Sequence, residues 1–292
     1  MTTPRVSIVL PFGDDAETLP RCLASIRAQK FREFELIAID DGSGDASAAL
    51  LLDAGARLLQ PGAVGRVAAL NYGIASARAP LIARMDADAV MHRERLALQV
   101  DWIESGFDLV ASQVECAGDP RVRWQNGIVT PADIAANLYA GPPFTDASVL
   151  MRKRFVYAHG PFPADYELWL RMHEAGAKMV KIPRVLLRCR TSETNASQDE
   201  VDELSARYLA RDPRVRYARE LVVCGSGSRA ATLARRLERE RVRIDARISA
   251  PSESLAREPR PLVLIVASIP EEREEIAKVL ESWGYRAGRD YL

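Results

Sequence analysis

Short apolar runs alternate with stretches of helical periodicity along the first third of the chain. The run Val6-Ser-Ile-Val-Leu10 is nearly unbroken, the pattern of a strand covered on both faces in a parallel sheet. Leu19, Cys22, Leu23 and Ile26 then recur at helical spacing across residues 17–28. The same alternation predicts strands over 34–39, 56–60 and 81–85, and helices over 46–54 and 66–77. This βαβαβαβ order specifies an α/β domain with a mostly parallel sheet and helices on both faces. Further on, the pattern predicts helices over 93–104 and 165–175 and strands over 107–114, 147–151 and 178–182, with residues 115–144 reading as loop. A polar loop at 191–198 and a polar helix over 199–210 close the unit. After Arg211-Asp-Pro213, a linker by composition, the alternation restarts: strands over 221–224, 242–248 and 262–267, helices over 228–239 and 270–283. The expected organisation is one α/β domain over 1–212 and a small α/β domain over 216–292.

Composition narrows the function classes. The 292 residues are 48% hydrophobic and 27% charged, the balance of a globular enzyme rather than a disordered or fibrous chain. Basic and acidic side chains cancel at 40 each, which removes nucleic acid as a bulk electrostatic partner, since neutralising phosphates needs a net basic surface. Of the basic residues only five are Lys and 35 are Arg, a bias that follows coding composition more often than function. No apolar run approaches the roughly 18 residues of a membrane-spanning helix. The start, MTTPRVSIVLPFGDD, lacks the charged head and cleavage site of a signal peptide. Cys22, Cys116, Cys189 and Cys224 are scattered without a C-x-x-C pair and read as thiols of a reducing compartment. A cytoplasmic protein is expected.

In parallel sheets ligands bind beyond the carboxyl ends of the strands. Here those ends lead into Asp14-Asp15, Asp40-Asp41-Gly-Ser and Asp86-Ala-Asp88. Acidic groups gathered at one edge repel each other, and a divalent cation carrying a diphosphate would relieve the repulsion. Carboxylate oxygens suit Mg²⁺ or Mn²⁺. The competing reading is helix capping, which accounts for Asp14 or Asp45 but poorly for D-x-D placed directly on a strand end.

The motifs V-S-I-V-L-P at 6–11, L-x-R-C-L-A-S-I-R-A-Q-x-F at 19–31, F-E-L-I-A-I-D-D-G-S at 34–43, A-L-N-x-G-I at 69–74 and D-A-D at 86–88 resemble the family 2 glycosyltransferases. D-Y-E-L-W-L-R at 165–171 is similar to that family's downstream acidic motif. The resemblance covers about residues 5–200 with its motifs in the family's order. It implies a GT-A fold that binds a nucleotide-diphosphate sugar, most simply UDP-linked, and transfers the sugar with inversion to a saccharide or glycolipid acceptor. By the same resemblance Asp41 meets the nucleobase, Pro11 and Phe12 lie in a loop lining the nucleoside, and Asp14 joins the nucleotide-binding set. Arg66 stands beside the base, Asp86 meets ribose or metal, and Asp88 ligates Mn²⁺ or Mg²⁺ bridging the phosphates. Asp165 matches the general base that takes the acceptor hydroxyl's proton; read alone, Pro163-Ala-Asp165 is a helix cap. Glu167 is a weaker candidate for the base.

The chain departs from the family pattern at four places. Ala164 stands where a Glu often precedes the base, and Ala89 where a further Asp often follows D-x-D. Cys189-Arg-Thr-Ser192 replaces a segment whose His completes the metal site, leaving Ser192 and Glu193 as substitutes, and Asp146 stands where relatives often have His. These losses support an alternative, a nucleotide-sugar-binding subunit with weakened catalysis, which the intact Asp86, Asp88 and Asp165 oppose. A sugar-phosphate nucleotidyltransferase needs a Gly-rich, Arg-containing loop after the first strand, and Pro11-Phe-Gly-Asp-Asp-Ala-Glu17 is not one. His92 reads as the start of a helix, His173 as a surface residue, His159 as part of the loop toward Asp165, and Trp124 as a loop aromatic. In the tail, Gly225-Ser-Gly227-Ser-Arg229-Ala230 partly fits a dinucleotide fingerprint, but the acid that should close the second strand is missing and Asp245 falls inside it. The tail resembles the truncated Rossmann-like appendage behind some family 2 transferases, which implies docking or oligomerisation rather than a cofactor. Peripheral membrane contact stays open, because acceptors of such enzymes are often lipid-linked.

Overall fold

The structure, a computed structural model, describes residues 3–116, 120–157, 165–190, 197–267 and 270–292; the side chains of Pro120, Tyr157, Asp165 and Pro270 lie outside that description. In chain order the elements begin β1 (Val6–Phe12), α1 (Leu19–Arg27), β2 (Phe34–Asp40), α2 (Ser47–Asp53), β3 (Arg57–Leu59), α3 (Arg66–Ser76) and β4 (Leu81–Arg84). They continue β5 (Val90–Met91), α4 (Arg95–Glu104), β6 (Leu109–Cys116), α5 (Pro120–Gly127), α6 (Pro131–Asn137), β7 (Leu150–Arg152), α7 (Lys153–Tyr157), α8 (Asp165–Glu174) and β8 (Met179–Cys189). The remainder is α9 (Gln198–Leu209), α10 (Pro213–Arg216), β9 (Leu221–Cys224), α11 (Gly227–Arg239), β10 (Ala246–Ile248), β11 (Leu262–Ile265) and α12 (Pro270–Ser282).

The chain forms two compact units, Met1–Val129 with Phe144–Thr194, and Thr130–Pro143 with Asn195–Leu292. The first is built on an eight-stranded sheet ordered β3-β2-β1-β4-β7-β6-β8-β5. β1 pairs in parallel with β2 and β4, while β7 runs antiparallel between β4 and β6. All seven residues of β1 are buried, as its unbroken apolar run requires. Gly73 lets α3 approach β1 and β2: a methyl group there would stand 2.5 Å from Ile39 Cδ1 and 2.8 Å from Val9 Cγ1.

Several element bounds differ from the sequence pattern. β8 extends to Cys189 because it pairs with β6 along its length, across a break in register, and its last residues also pair with β5 on the other side. The segment read as a strand from 147 opens as a 3-10 turn, Asp146–Ser148, before β7. Residues 115–144 carry α5 and α6, where loop was expected. The signal for α6 was present: Thr130 accepts from the Asp133 amide while the Asp133 carboxylate accepts from Thr130 N, a capping box with Pro at the first helical position. Of the loop expected at 191–198, residues 191–196 lie outside the described residues, while Ser197 caps α9 and Gln198 begins it.

The second unit holds a three-stranded parallel sheet ordered β10-β9-β11. Its middle strand is the apolar run Leu221–Cys224, and the chain's end covers one edge, Leu292 exchanging hydrogen bonds with Val263 and Ile265. β10 is shorter than the pattern suggests, because Asp245 sits before it and accepts from Leu221 N at 3.0 Å. Where composition divides the chain at 212–216, contacts also assign α9 and residues 130–143 to this unit. Two arginines hold the inserted segment. Arg273, 5% exposed, donates to the carbonyls of Ala136 and Ile265 and to Asn137 Oδ1. Arg229 donates to the carbonyls of Ala140 and Ala267 and pairs with Asp202 at 2.9 Å. Tyr139 adds a hydrogen bond to Asp212 at 2.8 Å.

Arg273→Leu leaves two buried carbonyls without their donor, so it should destabilise the second unit by about 3 kcal/mol or more. Chemical denaturation reads that loss, and amide exchange over 131–137 should accelerate; unchanged exchange there would mean the arginine does not hold α6.

Candidate functional site

Parallel pairing brings the carboxyl ends of β1, β2 and β4 to one edge, with Phe12 in register with Asp40 and Val9 with Arg84. Pro11 and Phe12 are not loop residues: they end β1 opposite Ile39 and Asp40, and both are buried.

The aspartates at this edge divide into two groups. One group braces the loops. Asp14 accepts from Gly44 N at 2.7 Å, Asp15 from Gly13 N at 3.0 Å, and Asp45 from Ala16 N and Ser47 N. Asp40 accepts from Gly42 N, Ser43 N and Gln60 Nε2. Burial pushes its carboxyl up, but the hydrogen bonds from Ser43, Gln60 and Gly42 outweigh that and hold it below the usual carboxylate range. Asp45 thus meets the first amide of α2 from just outside the helix, whereas Asp14 ties the first loop to the second and caps no helix.

The other group forms a connected run. Asp41 Oδ1 accepts from Val64 N and Gly65 N, both at 2.8 Å, so it fixes the backbone that opens α3. Its Oδ2 has no partner among the described residues. The first residue of α3 is Arg66, whose guanidinium meets Asp86 Oδ1 at 2.5 Å. Three predicted residues, Asp41, Arg66 and Asp86, thus come together. Asp88 follows two residues on; it and Asp86 are half-buried while Ala87 and Ala89 fill the core beneath.

Two side chains support D-A-D from inside. The Cys22 thiol donates to Asp86 O at 3.6 Å and is pushed up to about 12 by burial, then by the charges of Asp86, Asp88 and Asp15, so it stays protonated. Arg95, fully buried, donates to Gln99 Oε1 and to the carbonyls of Arg84 and Val149. Burial lowers its guanidinium to about 10 against the pull of Asp86, which leaves it charged at neutral pH. Sequence reasoning missed Arg95, because an arginine on an amphipathic helix reads as a surface residue. Cys189, at the end of β8, is raised well above the usual thiol range by burial, by its hydrogen bond with Cys116, and by the fields of Asp88 and Asp86.

Asp86 and Asp88 offer hard oxygen donors, a set that fits Mg²⁺ or Mn²⁺ when a diphosphate and water complete the shell. Among the described residues no group of three or more His, Cys, Asp or Glu is arranged to hold a metal ion. Ser192 and Glu193 lie outside the described residues, as do His159 and Ala164.

Asp165 begins α8, though its side chain lies outside the described residues. The helix itself is firmly held. Trp169 is fully buried, donates to Asp146 Oδ1 at 3.1 Å and meets Phe144 edge-on at 5.8 Å. Asp146, read from sequence as a lost histidine, is thus an anchor for this helix. Glu167 is buried against Arg171 at 3.0 Å. His92 Nδ1 accepts from Glu94 N at 3.2 Å, the helix-start role expected of it. Trp124 lies on α5 rather than in a loop.

In the second unit the glycines of the tail motif have packing reasons. A methyl at Gly225 would stand 1.9 Å from Val266 O, and Gly227 has φ +82°.

The chain matches the family model for glycosyl transferase family 2 over residues 7–160. Amylovoran biosynthesis glycosyltransferase AmsE of Erwinia amylovora is 29% identical over 199 residues, 63% of this chain and 75% of that protein. Undecaprenyl-phosphate 4-deoxy-4-formamido-L-arabinose transferase of Pseudomonas fluorescens is 30% identical over 158 residues, 50% of this chain and 46% of that protein. Among solved structures, S. aureus TarS 1-349 in complex with UDP-GlcNAc aligns with a TM-score of 0.60 at 15% identity, over 81% of this chain and 71% of that one. Mannosyltransferase PcManGT from Pyrobaculum calidifontis, in complex with GDP-Man and Mn²⁺, gives 0.52 at 20% identity, over 72% and 63%. The likeness is one of fold, and the mostly parallel GT-A sheet expected from the sequence is present.

Replacing Arg95 with Leu removes a donor from Arg84 O, just before D-A-D, and the longer of two from Val149 O, and should cost about 3–5 kcal/mol by denaturant titration. A loss under 1 kcal/mol would show that the guanidinium is dispensable.

Proposed function

The chain belongs to glycosyl transferase family 2, a glycosyltransferase of GT-A fold, and from that premise we propose that it moves a sugar from a UDP-linked donor to a saccharide or lipid-linked acceptor with inversion. The observation that carries the reading is the run from Asp41 through Val64 and Gly65 to Arg66 and Asp86, at the strand ends where such sheets take their ligands. A uracil ring presents an N–H, and Asp41 Oδ2 is an acceptor at the head of that run. Arg66 offers a forked cation to the nucleotide, and Asp86 can accept from a ribose hydroxyl. Pro11 and Phe12 form the apolar floor, and Asp14 keeps the first loop in place through Gly44. Nucleotide-sugar complexes of TarS and PcManGT support this assignment by fold.

Asp88, with Asp86 beside it, would hold Mn²⁺ or Mg²⁺. When bound, the cation stabilises the negative charge of the departing diphosphate. Asp165 is assigned as general base: it removes the acceptor hydroxyl's proton as that oxygen attacks the anomeric carbon on the face opposite the diphosphate. The anchoring of α8 by Trp169 and Asp146 supports this role, since a base must be held in reach of its proton.

The proposed setting is the cytoplasm, with peripheral contact at the inner membrane face when the acceptor is lipid-linked; the relative acting on undecaprenyl-phosphate supports it. No helix among the described residues is long and apolar enough to cross a membrane. The second unit is proposed to serve docking or oligomerisation. A rival reading, donor binding without turnover, draws on the pairing of Asp86 with Arg66, which occupies one of the carboxylates the metal would need.

Calorimetric titration should show UDP binding that needs Mn²⁺ and is lost in Asp88→Ala; no uridine nucleotide binding at all would overturn the donor assignment. Asp165→Asn should lower kcat by about 10²–10⁴-fold with UDP affinity unchanged. Binding without any sugar release or transfer across a panel of UDP-sugars would favour the rival.

A further inference from the structure

On the larger sheet, at the edge opposite the aspartates, a cavity of about 580 Å³ opens at the amino ends of β2 and β3. Its floor is apolar: Leu23, Ile26 and Leu36 are buried and Phe34 half-buried. Its rim carries Arg27, Arg32, Arg57 and Arg78. Phe34 and Asp40 are the two ends of β2, so roughly 20 Å of strand separates this cavity from the aspartate edge.

The rim charges are not neutralised from within. No ion pair joins any of the four arginines to a carboxylate among the described residues. Arg32 donates to Arg27 O and Arg57 to Ser76 O, both at 2.8 Å, while the guanidiniums of Arg27 and Arg78 contact no described partner. The one acid in the lining, Glu35, accepts from Ser7 Oγ and from the Arg78 amide, both at 2.7 Å. Some arginines of this neutral chain are mated, as Arg188 is to Glu115 at 2.8 Å and Arg236 to Asp199 at 2.6 Å, and others, such as Arg21 and Arg207, stand singly among the described residues; at this cavity four converge on one opening. Four guanidiniums against one carboxylate leave three positive charges. The carboxyl ends of α1 and α2 offset about half a charge each, so about two remain.

A carboxylate would cancel only half of that excess, whereas a phosphate monoester carries about −1.5 to −2 at neutral pH and matches it. Guanidinium forks hold phosphate oxygens two at a time, and an apolar floor beneath them selects a ligand with a hydrocarbon arm. We propose that this cavity binds an organic phosphate monoester carrying an apolar arm, at a site separate from the donor edge.

Calorimetry with hexyl phosphate, inorganic phosphate and hexanol as probes tests both halves of the requirement. Hexyl phosphate should bind at least tenfold more tightly than either fragment, and the double variant Arg27→Gln, Arg78→Gln should lose at least tenfold with an unchanged melting temperature. Those two side chains make no internal bond, so the fold should tolerate their exchange. Cosedimentation with phosphatidylcholine vesicles containing phosphatidic acid, but not with phosphatidylcholine alone, would identify a lipid source. Binding of hexyl phosphate without cosedimentation would identify a soluble ester. Equal affinity for hexyl phosphate and inorganic phosphate, or full retention of hexyl phosphate binding in the double variant, would overturn the proposal.

Discussion

Gathering carboxylates at one edge of a parallel sheet is opposed by Coulomb repulsion: two of them about 5 Å apart repel by roughly 3 kcal/mol at the effective dielectric of a protein surface. In this chain the repulsion is met locally, residue by residue. Asp14, Asp15, Asp40 and Asp45 are satisfied by amides of the loops that follow β1 and β2. Asp41 is satisfied by the turn into α3, and Asp86 by the arginine that this turn presents. The loops take their shape from the need to solvate these acids, and the same shape leaves acceptor oxygens for a ligand.

Behind the edge, arginine does work that no lysine could. Arg95, Arg229 and Arg273 each send planar donors in several directions and end backbone segments that would otherwise bury bare carbonyls. The arginine-rich composition, uninformative as a statistic, is in these positions a means of joining non-adjacent stretches of chain.

Much of the larger unit was legible in the sequence because two strong signals coincide there: unbroken apolar runs for covered strands, and aspartate or glycine at their ends. Asp41, Arg66 and Asp86 were named from motif position, and the structure brings them into one run. Residues 115–144 were not legible, since α5 offers only Val122 and Trp124 among polar residues, with no repeating apolar stripe, and α6 is announced only by the Thr130 capping box. Arg95 and Arg273 escaped notice because burial of a guanidinium depends on carbonyls far away in sequence. Asp146 misled by its alignment with a histidine, when its partner is the indole of Trp169.

The second unit is discontinuous in the gene. Its α6 is made long before the residues that hold it, since Arg273 follows Asn137 only after the intervening chain of the larger unit has been laid down. At ordinary rates of synthesis, about 5–20 residues per second, α6 spends on the order of ten seconds with only water on its final carbonyls. A tail that looks like an appended cassette is therefore threaded into the body of the gene. Recombination at the apparent linker would exchange an incomplete piece, so the two units are expected to be inherited together.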